Sequence, residues 1–326
     1  MSTSKQDAVR PGRSTVSRSK NVKEPQNARI GGDSTVNIAA KLQRRYDKNL
    51  LPLLPNVPGV HRLNHELQQL AIKNLEKVDK SNASKISDFD WDNLLILDAC
   101  RHDLYEEVKG NSAASRITVG GATHQFIKET FTSQSFEDTL LVTANPQFSN
   151  KKFKEYTGRK VEDVFHTVFH TWKNKWDEKE NTVQPEKVVE DVKTAEKLFP
   201  SKRKLVVFLQ PHQPFIGKDY NGDGLVRSKF FGGETYETVF DKAEKGELGR
   251  EKVWKGYREN LELAIKVVED ELLPVLSGKT VLTSDHGNLV GEAGYYGHPA
   301  PLKSVKVLRK VPLVELDKGG GDTGEA

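Results

Sequence analysis

The chain's 326 residues suffice for one large domain or two small ones, and its 36% hydrophobic content can bury a core once the polar first stretch is set aside. A formal charge of +4 is too small to imply nucleic acid, and a single cysteine, Cys100, excludes an internal disulfide and a cysteine zinc cluster. The sequence shows no run of 18 apolar residues and no apolar N-terminal segment, so it predicts neither a spanning helix nor a secretory signal, and its location reads as cytoplasmic or peripheral to a membrane.

Residues 1–33 are rich in Ser, Lys, Arg, Asn and Gly and nearly free of large apolar side chains. Such a composition cannot offset the entropy of ordering, so a disordered basic tail is expected. It is either merely solvated or meets an anionic membrane surface or an acidic partner. Nucleic acid is not expected as a partner. Residues 34–88 read as a basic helical region. Val36, Ile38, Leu42, Tyr46, Leu50 and Leu51 recur at helical spacing among Lys41, Arg44, Arg45 and Lys48, and Pro52, Pro55 and Pro58 end the run. That segment either lies on a membrane or partner or packs on its own domain. A second helix at about 63–78 and a connector at 81–87 follow.

Composition changes at Trp91, and residues 89–318 read as an α/β domain. The apolar run 94–97 predicts a central parallel strand ending in Asp98. A helix over 101–108, a strand over 139–143, a turn at Asn145-Pro146 and a strand over 164–169 come next. Pro185 opens an amphipathic helix over 185–198. The run 205–209 is a buried-type strand leading into Gln210-Pro211-His212. Residues 217–249 are polar and Gly-rich, an excursion over the site. A long helix spans 253–276, with Trp254, Tyr257, Leu261, Ile265, Val268, Leu272 and Val275 as its stripe. Strands over 280–282 and 311–316 close the domain, and residues 319–326 form a flexible tail. The alternation of strands and helices predicts a mostly parallel central sheet with helices on both faces.

Three strands therefore end in residues that can do chemistry: Asp98, His212 and the pair Asp285-His286. In a parallel sheet they gather at the carboxyl edge, where ligands bind. Asp98, Asp285 and His286 supply two oxygens and a nitrogen for one divalent cation, Mn²⁺ before Zn²⁺, with Mg²⁺ and Ca²⁺ as alternatives. An alcohol is a natural fourth ligand, and a neighbouring cation eases loss of its proton. Thr123 fits, because Gly120-Gly121 precede it and the helical run 124–131 follows, putting its hydroxyl at a helix N-terminus. Thr123 also fits a simple helix cap. Thr118, Ser112 and Ser115 are weaker rivals. Arg101 is either an oxyanion ligand or an ordinary arginine.

Taken in order, Leu97-Asp98-Ala-Cys-Arg101-His-Asp103, Gly121-Ala-Thr123, Gln210-Pro-His212-Gln-Pro214, Thr283-Ser-Asp285-His286-Gly287 and Gly297-His298-Pro299 resemble the successive motifs of the alkaline phosphatase superfamily, in its sulfatase-like branch. The resemblance covers about 91–316 and implies that family's fold. It implies Asp98, Asp285 and His286 as metal ligands and Thr123 as ligand and nucleophile. His212 and His298 become substrate binders, proton donors or second-metal ligands. Cys100 lacks the context that sulfatases convert to formylglycine, so the likeness is to threonine-nucleophile members. Phe208 stands where a second-metal aspartate would be, so one metal is expected. The function implied is a metal-dependent hydrolase or transferase of phosphate esters, or less readily of sulfate esters. The alternative is a non-catalytic binding protein on the same fold.

Overall fold

A computed structural model describes residue 66 and residues 69–217, 219–220 and 237–317. The tail 1–33, the segment 34–54, the C-terminal stretch 319–326 and part of the 217–249 excursion lie outside the described residues. The second expected helix is described in part: residues 69–73 are helical. Lys77 then bridges Val305, so this segment packs on the C-terminal part of the chain, with Ala71 and Leu75 against Leu302, Val305 and Leu308.

The 81–87 connector contains a strand, β1 (Ala83–Ser84). Then come β2 (Asn93–Asp98), helix α1 (His102–Lys109), β3 (Ser115–Thr118), α2 (Thr123–Phe131), β4 (Phe136–Thr143) and α3 (Asn150–Thr157). They are followed by β5 (Phe165–His170), α4 (Pro185–Leu198), β6 (Arg203–Pro211), α5 (Val239–Glu244) and α6 (Arg250–Val267). The last elements are β7 (Thr280–Thr283), the hairpin β8 (Leu289–Glu292) and β9 (Tyr295–Gly297), and β10 (Lys310–Leu316). The long predicted helix ends early: α6 passes into a π turn at Val268–Leu272 and a 3-10 turn before β7.

The main sheet has the order β1-β3-β10-β7-β2-β6-β4-β5. All pairings are parallel except the two made by β10, which runs antiparallel between β3 and β7. The class is α/β with a mostly parallel sheet, as the alternation predicts. β2 is buried at every residue, which explains its unbroken apolar run. Leu95 and Leu97 face α4 and α6 on one side, through Val188, Val192, Leu261 and Ala264. Leu94 and Ile96 face α2 and α3 on the other, through Phe126, Ile127 and Phe153. Phe131 is the hub of that second layer, with five phenylalanine rings centred 5.3–6.1 Å away. This two-sided packing fixes the strands, and with them the edge where their loops emerge.

Candidate active site

β7, β2, β6 and β4 are successive neighbours running the same way, so their carboxyl ends meet. β3 points that way too, since two antiparallel steps through β10 relate it to β7. The site residues leave these ends. Asp98 closes β2, His212 follows β6, Asp285-His286 follow β7, and the loop after β3 leads to Thr123. The structure brings all of these together.

The geometry turns on the His286 ring. Its Nδ1 lies 2.8 Å from Gly287 O, and a carbonyl only accepts, so Nδ1 carries the proton. Nε2 therefore presents a lone pair. Around Nε2 stand Thr123 Oγ1 at 3.1 Å, Asp285 Oδ2 at 3.5 Å and Asp98 Oδ1 at 3.6 Å. Burial holds the His286 pKa down to about 3, so the ring is neutral. Asp98 Oδ1 is buried with no hydrogen-bond partner. Burial raises the pKa of both carboxyls, and for Asp98 the charge of Asp285 adds to it. Two carboxylates and an imidazole lone pair thus face one point, with no lysine or arginine among the described residues paired to them. That donor set fits a divalent cation, and the three ligand atoms lie within 4.8 Å of one another.

The surrounding chain holds this set rigid. Asn145 Nδ2 donates to Asp98 Oδ2 at 2.6 Å, leaving the other oxygen directed at the site. Ala99 N and His286 N donate to Asp285 Oδ1 at 3.0 and 2.9 Å. Ser284 Oγ accepts from Cys100 N and donates to His286 O, tying the β2 and β7 loops together. Ala99 has φ of +61°, a left-handed conformation rare without glycine, which turns the chain directly after Asp98.

Thr123 is the first residue of α2, and the cap position belongs to Ala122, which makes no side-chain cap. The hydroxyl is thus not consumed as a helix cap. The two glycines before it are required by close approach. A Cβ on Gly120 would lie 2.4 Å from Phe126 N, and one on Gly121 2.3 Å from Lys303 O. The rival hydroxyls are placed elsewhere. Thr118 Oγ1 donates to Asp285 O, Ser112 Oγ reaches Glu106, and Ser115 is exposed on β3.

His212 and His298 complete the cluster, with ring centroids 6.4 and 4.7 Å from that of His286. Asn260 of α6 orders the loop carrying His212 by donating to Pro214 O and His212 O at 3.0 and 3.2 Å. Arg101 does not reach into this space as an oxyanion ligand. Its guanidinium binds Asp103 and Glu292 and donates to Asn288 O, and it lies 5.0 Å over the Trp254 ring. Four of its donors are thereby occupied by protein acceptors.

No protein-family model matches this chain, and no curated protein matches it. Solved structures match in part. The integral membrane lipooligosaccharide phosphoethanolamine transferase A of Neisseria meningitidis is 12% identical, with a TM-score of 0.43, over 84% of this chain and 58% of that one. The C-terminal periplasmic domain of EptC from Escherichia coli, in complex with Zn, is 11% identical with a TM-score of 0.40, over 68% and 71% of the two chains. The lipoteichoic acid synthase LtaP of Listeria monocytogenes is 9% identical with a TM-score of 0.36, over 76% and 71%. Against the cytoplasmic location expected from the sequence, one of these neighbours is an integral membrane protein and one a periplasmic domain. Among the described residues no helix is long and apolar enough to cross a membrane.

The sequence reading missed Asn145 and Lys303. Asn145-Pro146 has the signature of a turn, and only the β4–β6–β2 neighbourhood turns its amide toward Asp98. Lys303 Nζ lies 2.7 Å from His124 Nε2, on the residue next to Thr123, and no carboxylate among the described residues lies within ion-pair distance of it. No local pattern marks it.

Proposed function

We propose that this chain is a metal-dependent hydrolase or transferase of phosphate esters that works through Thr123. The observation carrying this reading is the convergence of the Thr123 hydroxyl with three buried acceptors that have no cation of the described residues between them. Asp98, Asp285 and His286 would hold one divalent cation, and the oxygen-rich set favours Mn²⁺, with Zn²⁺ as the alternative. When bound, the cation supplies positive charge that lowers the proton affinity of the hydroxyl and offsets charge developing on the phosphoryl oxygens.

The chain's own residues do the rest. Thr123 releases its proton to solvent and Oγ1 attacks phosphorus in line, forming a phosphothreonine as the bond to the leaving oxygen breaks. His212 protonates that oxygen. Its Nδ1 is anchored 2.7 Å from Gln213 O, which aims the other nitrogen outward. Burial, with His286 and His212 nearby, holds His298 well below the usual imidazole range, so it enters neutral and positions the ester by hydrogen bonding. Water or an acceptor alcohol then displaces Thr123 and returns a proton to His212, and Thr123 Oγ1 regains its proton from solvent. Lys303 receives a non-bridging oxygen, one of the two roles open to Arg101 in the sequence.

Thr123→Ala tests the reading. Turnover of aryl phosphate esters should fall by at least ~10³-fold, the scale for loss of a nucleophile, with the circular dichroism spectrum and melting temperature retained. Full activity in that variant would sink the mechanism.

A further inference from the structure

The hairpin that leads to His298 stands apart from the main sheet. Among the described residues β8 and β9 pair with each other alone, and a two-stranded ribbon by itself is marginal in water. Apolar packing covers both faces. Leu289 lies with Leu302, Val305 and Leu308 on one side, and Val290 and Tyr296 lie with Phe240 and Tyr257 on the other. Such contacts have no preferred direction, so they fix the plane of the hairpin more than its position within that plane. Its position is set at the edges, by side chains.

At the outer edge of β8 two arginines take the place of a neighbouring strand. Arg101 Nη1 donates to Asn288 O at 3.1 Å, and Arg250 Nε donates to Val290 O at 2.7 Å. Carbonyls two residues apart along a strand point the same way, so both bonds pull on one edge. Glu292 completes that edge. Its Oε1 accepts from Arg101 Nη1 at 2.8 Å, and its Oε2 accepts from Val290 N at 2.5 Å. Both guanidinium groups lie against the Trp254 ring, 5.0 and 5.4 Å from its centroid, and Trp254 Nε1 donates to Glu107 of α1 at 3.0 Å. The clasp therefore has a fixed footing between α1 and α6. Arg101 stands three residues beyond Asp98, so one guanidinium ties the loop bearing Asp98 to the hairpin. At the end of the hairpin His298 follows Gly297 directly, with its ring centroid 4.7 Å from that of His286 and 5.7 Å from that of His212. We propose that Arg101 and Arg250 are positioning residues for His298: through the outer edge of β8 they set where that ring stands relative to Asp98, Asp285 and His286. The proposal rests on the phosphoester reading, in which His298 holds the ester.

The test is a mutant cycle between the clasp and His298. Arg250→Met keeps an apolar stem beside Trp254, and no carboxylate among the described residues lies within ion-pair distance of Arg250, so no charge is left unpaired. KM for an aryl phosphate should rise ~10-fold, the scale for losing a group that orients a ligand. The Mn²⁺-induced melting shift should stay as in wild type. In a His298→Ala background the same substitution should change KM less than about twofold, because its effect passes through the missing ring. Arg250→Lys, which can still donate to Val290 O, should recover part of the loss. Arg101→Lys, which keeps the charge but not the fork, should show the same dependence on His298 should Arg250→Met fold poorly. Equal KM losses with and without His298 overturn the proposal. Turnover of no ester by wild type would count against the reaction class instead, and imidazole ¹H–¹⁵N correlation spectra then decide the positioning alone. With the signals of His298 and His286 identified by their loss in the alanine variants, a displaced His298 signal in Arg250→Met beside an unmoved His286 signal upholds the role, and an unmoved His298 signal overturns it.

Discussion

At the amino end of the central strands, charges meet partners, from buried Lys204 through half-buried Arg203 to exposed Asp92. Lys204 is 2% exposed and pairs with Glu196, the Arg203 guanidinium stacks 3.7 Å over the Trp91 ring, and Asp92 accepts from Lys279 N at 2.7 Å. At the carboxyl end, Asp98 and Asp285 are as deeply buried as Lys204, yet no lysine or arginine among the described residues pairs with either. The same strands join both ends, so packing does not explain the difference. A buried charge with a partner fixes structure, whereas a set of like charges facing one point is costly unless something binds there. The contrast supports the proposed site at the carboxyl end, and substitutions at the two ends should have opposite signatures.

The largest effect should come from Asp98→Asn. It keeps an acceptor for Asn145 but removes one of the two clustered charges. In chelator the variant should melt at or above the wild-type temperature, because a buried repulsion is gone. Added Mn²⁺ should raise the wild-type melting point, by the equivalent of about 2.7 kcal/mol at a hundredfold excess over its dissociation constant, and should leave the variant unmoved. The wild-type increment should also shrink as pH falls. The cation needs both carboxyls ionised, and their folded-state pKa values are raised, so protons compete progressively as pH drops through those values. An increment independent of pH, measured by differential scanning fluorimetry from pH 8 to pH 5, would contradict that assignment.

Lys204→Met should show the reverse. It leaves Glu196 largely buried and unpaired, so urea unfolding should report a loss of about 3 kcal/mol, while the Mn²⁺ increment persists. A smaller effect is expected from Lys303→Ala. One charge-assisted hydrogen bond to a phosphoryl oxygen is worth about 1.4 kcal/mol, so KM for an aryl phosphate should rise ~10-fold with stability nearly unchanged. A lowered melting point with unaltered KM would make the Lys303 side chain merely a brace for His124.

Much of this was legible from the chain because apolar runs that end abruptly in polar residues are strand ends. Asp98, His212 and Asp285-His286 stood out on that ground, and Gly120-Gly121 before a helix pointed to Thr123. What escaped notice depends on non-local neighbours. Strands β1 and β3 are too short to show a period of two. β10 reads like any other apolar strand, and its antiparallel direction is set by its place between β3 and β7. Arg101 looked equally suited to an anion or to a structural pair. The answer lay in Glu292, on a hairpin 191 positions away in the sequence. Lys303 is another lysine in a lysine-rich chain until Gly121 brings its backbone against the loop that leads to Thr123.

The turn at Ala99 offers the finest test of how the carboxyl end is held. Its positive φ costs about 1 kcal/mol for a residue with a Cβ, and two hydrogen bonds hold it there, from Ala99 N to Asp285 and from the Tyr257 hydroxyl to Ala99 O. Tyr257→Phe strands a buried carbonyl and should cost about 1–2 kcal/mol in urea unfolding. Because the turn sets the direction of Asp98, Mn²⁺ affinity should also fall, by about threefold for a loosened ligand. Adding Ala99→Gly should recover part of the stability, since glycine accepts the left-handed turn without steric cost, but not the affinity, since it also frees the chain beside Asp98. If Tyr257→Phe lost stability at unchanged Mn²⁺ affinity, the hold on Asp98 would belong to Asn145 and the strand alone, and the strained turn would serve the fold rather than the site.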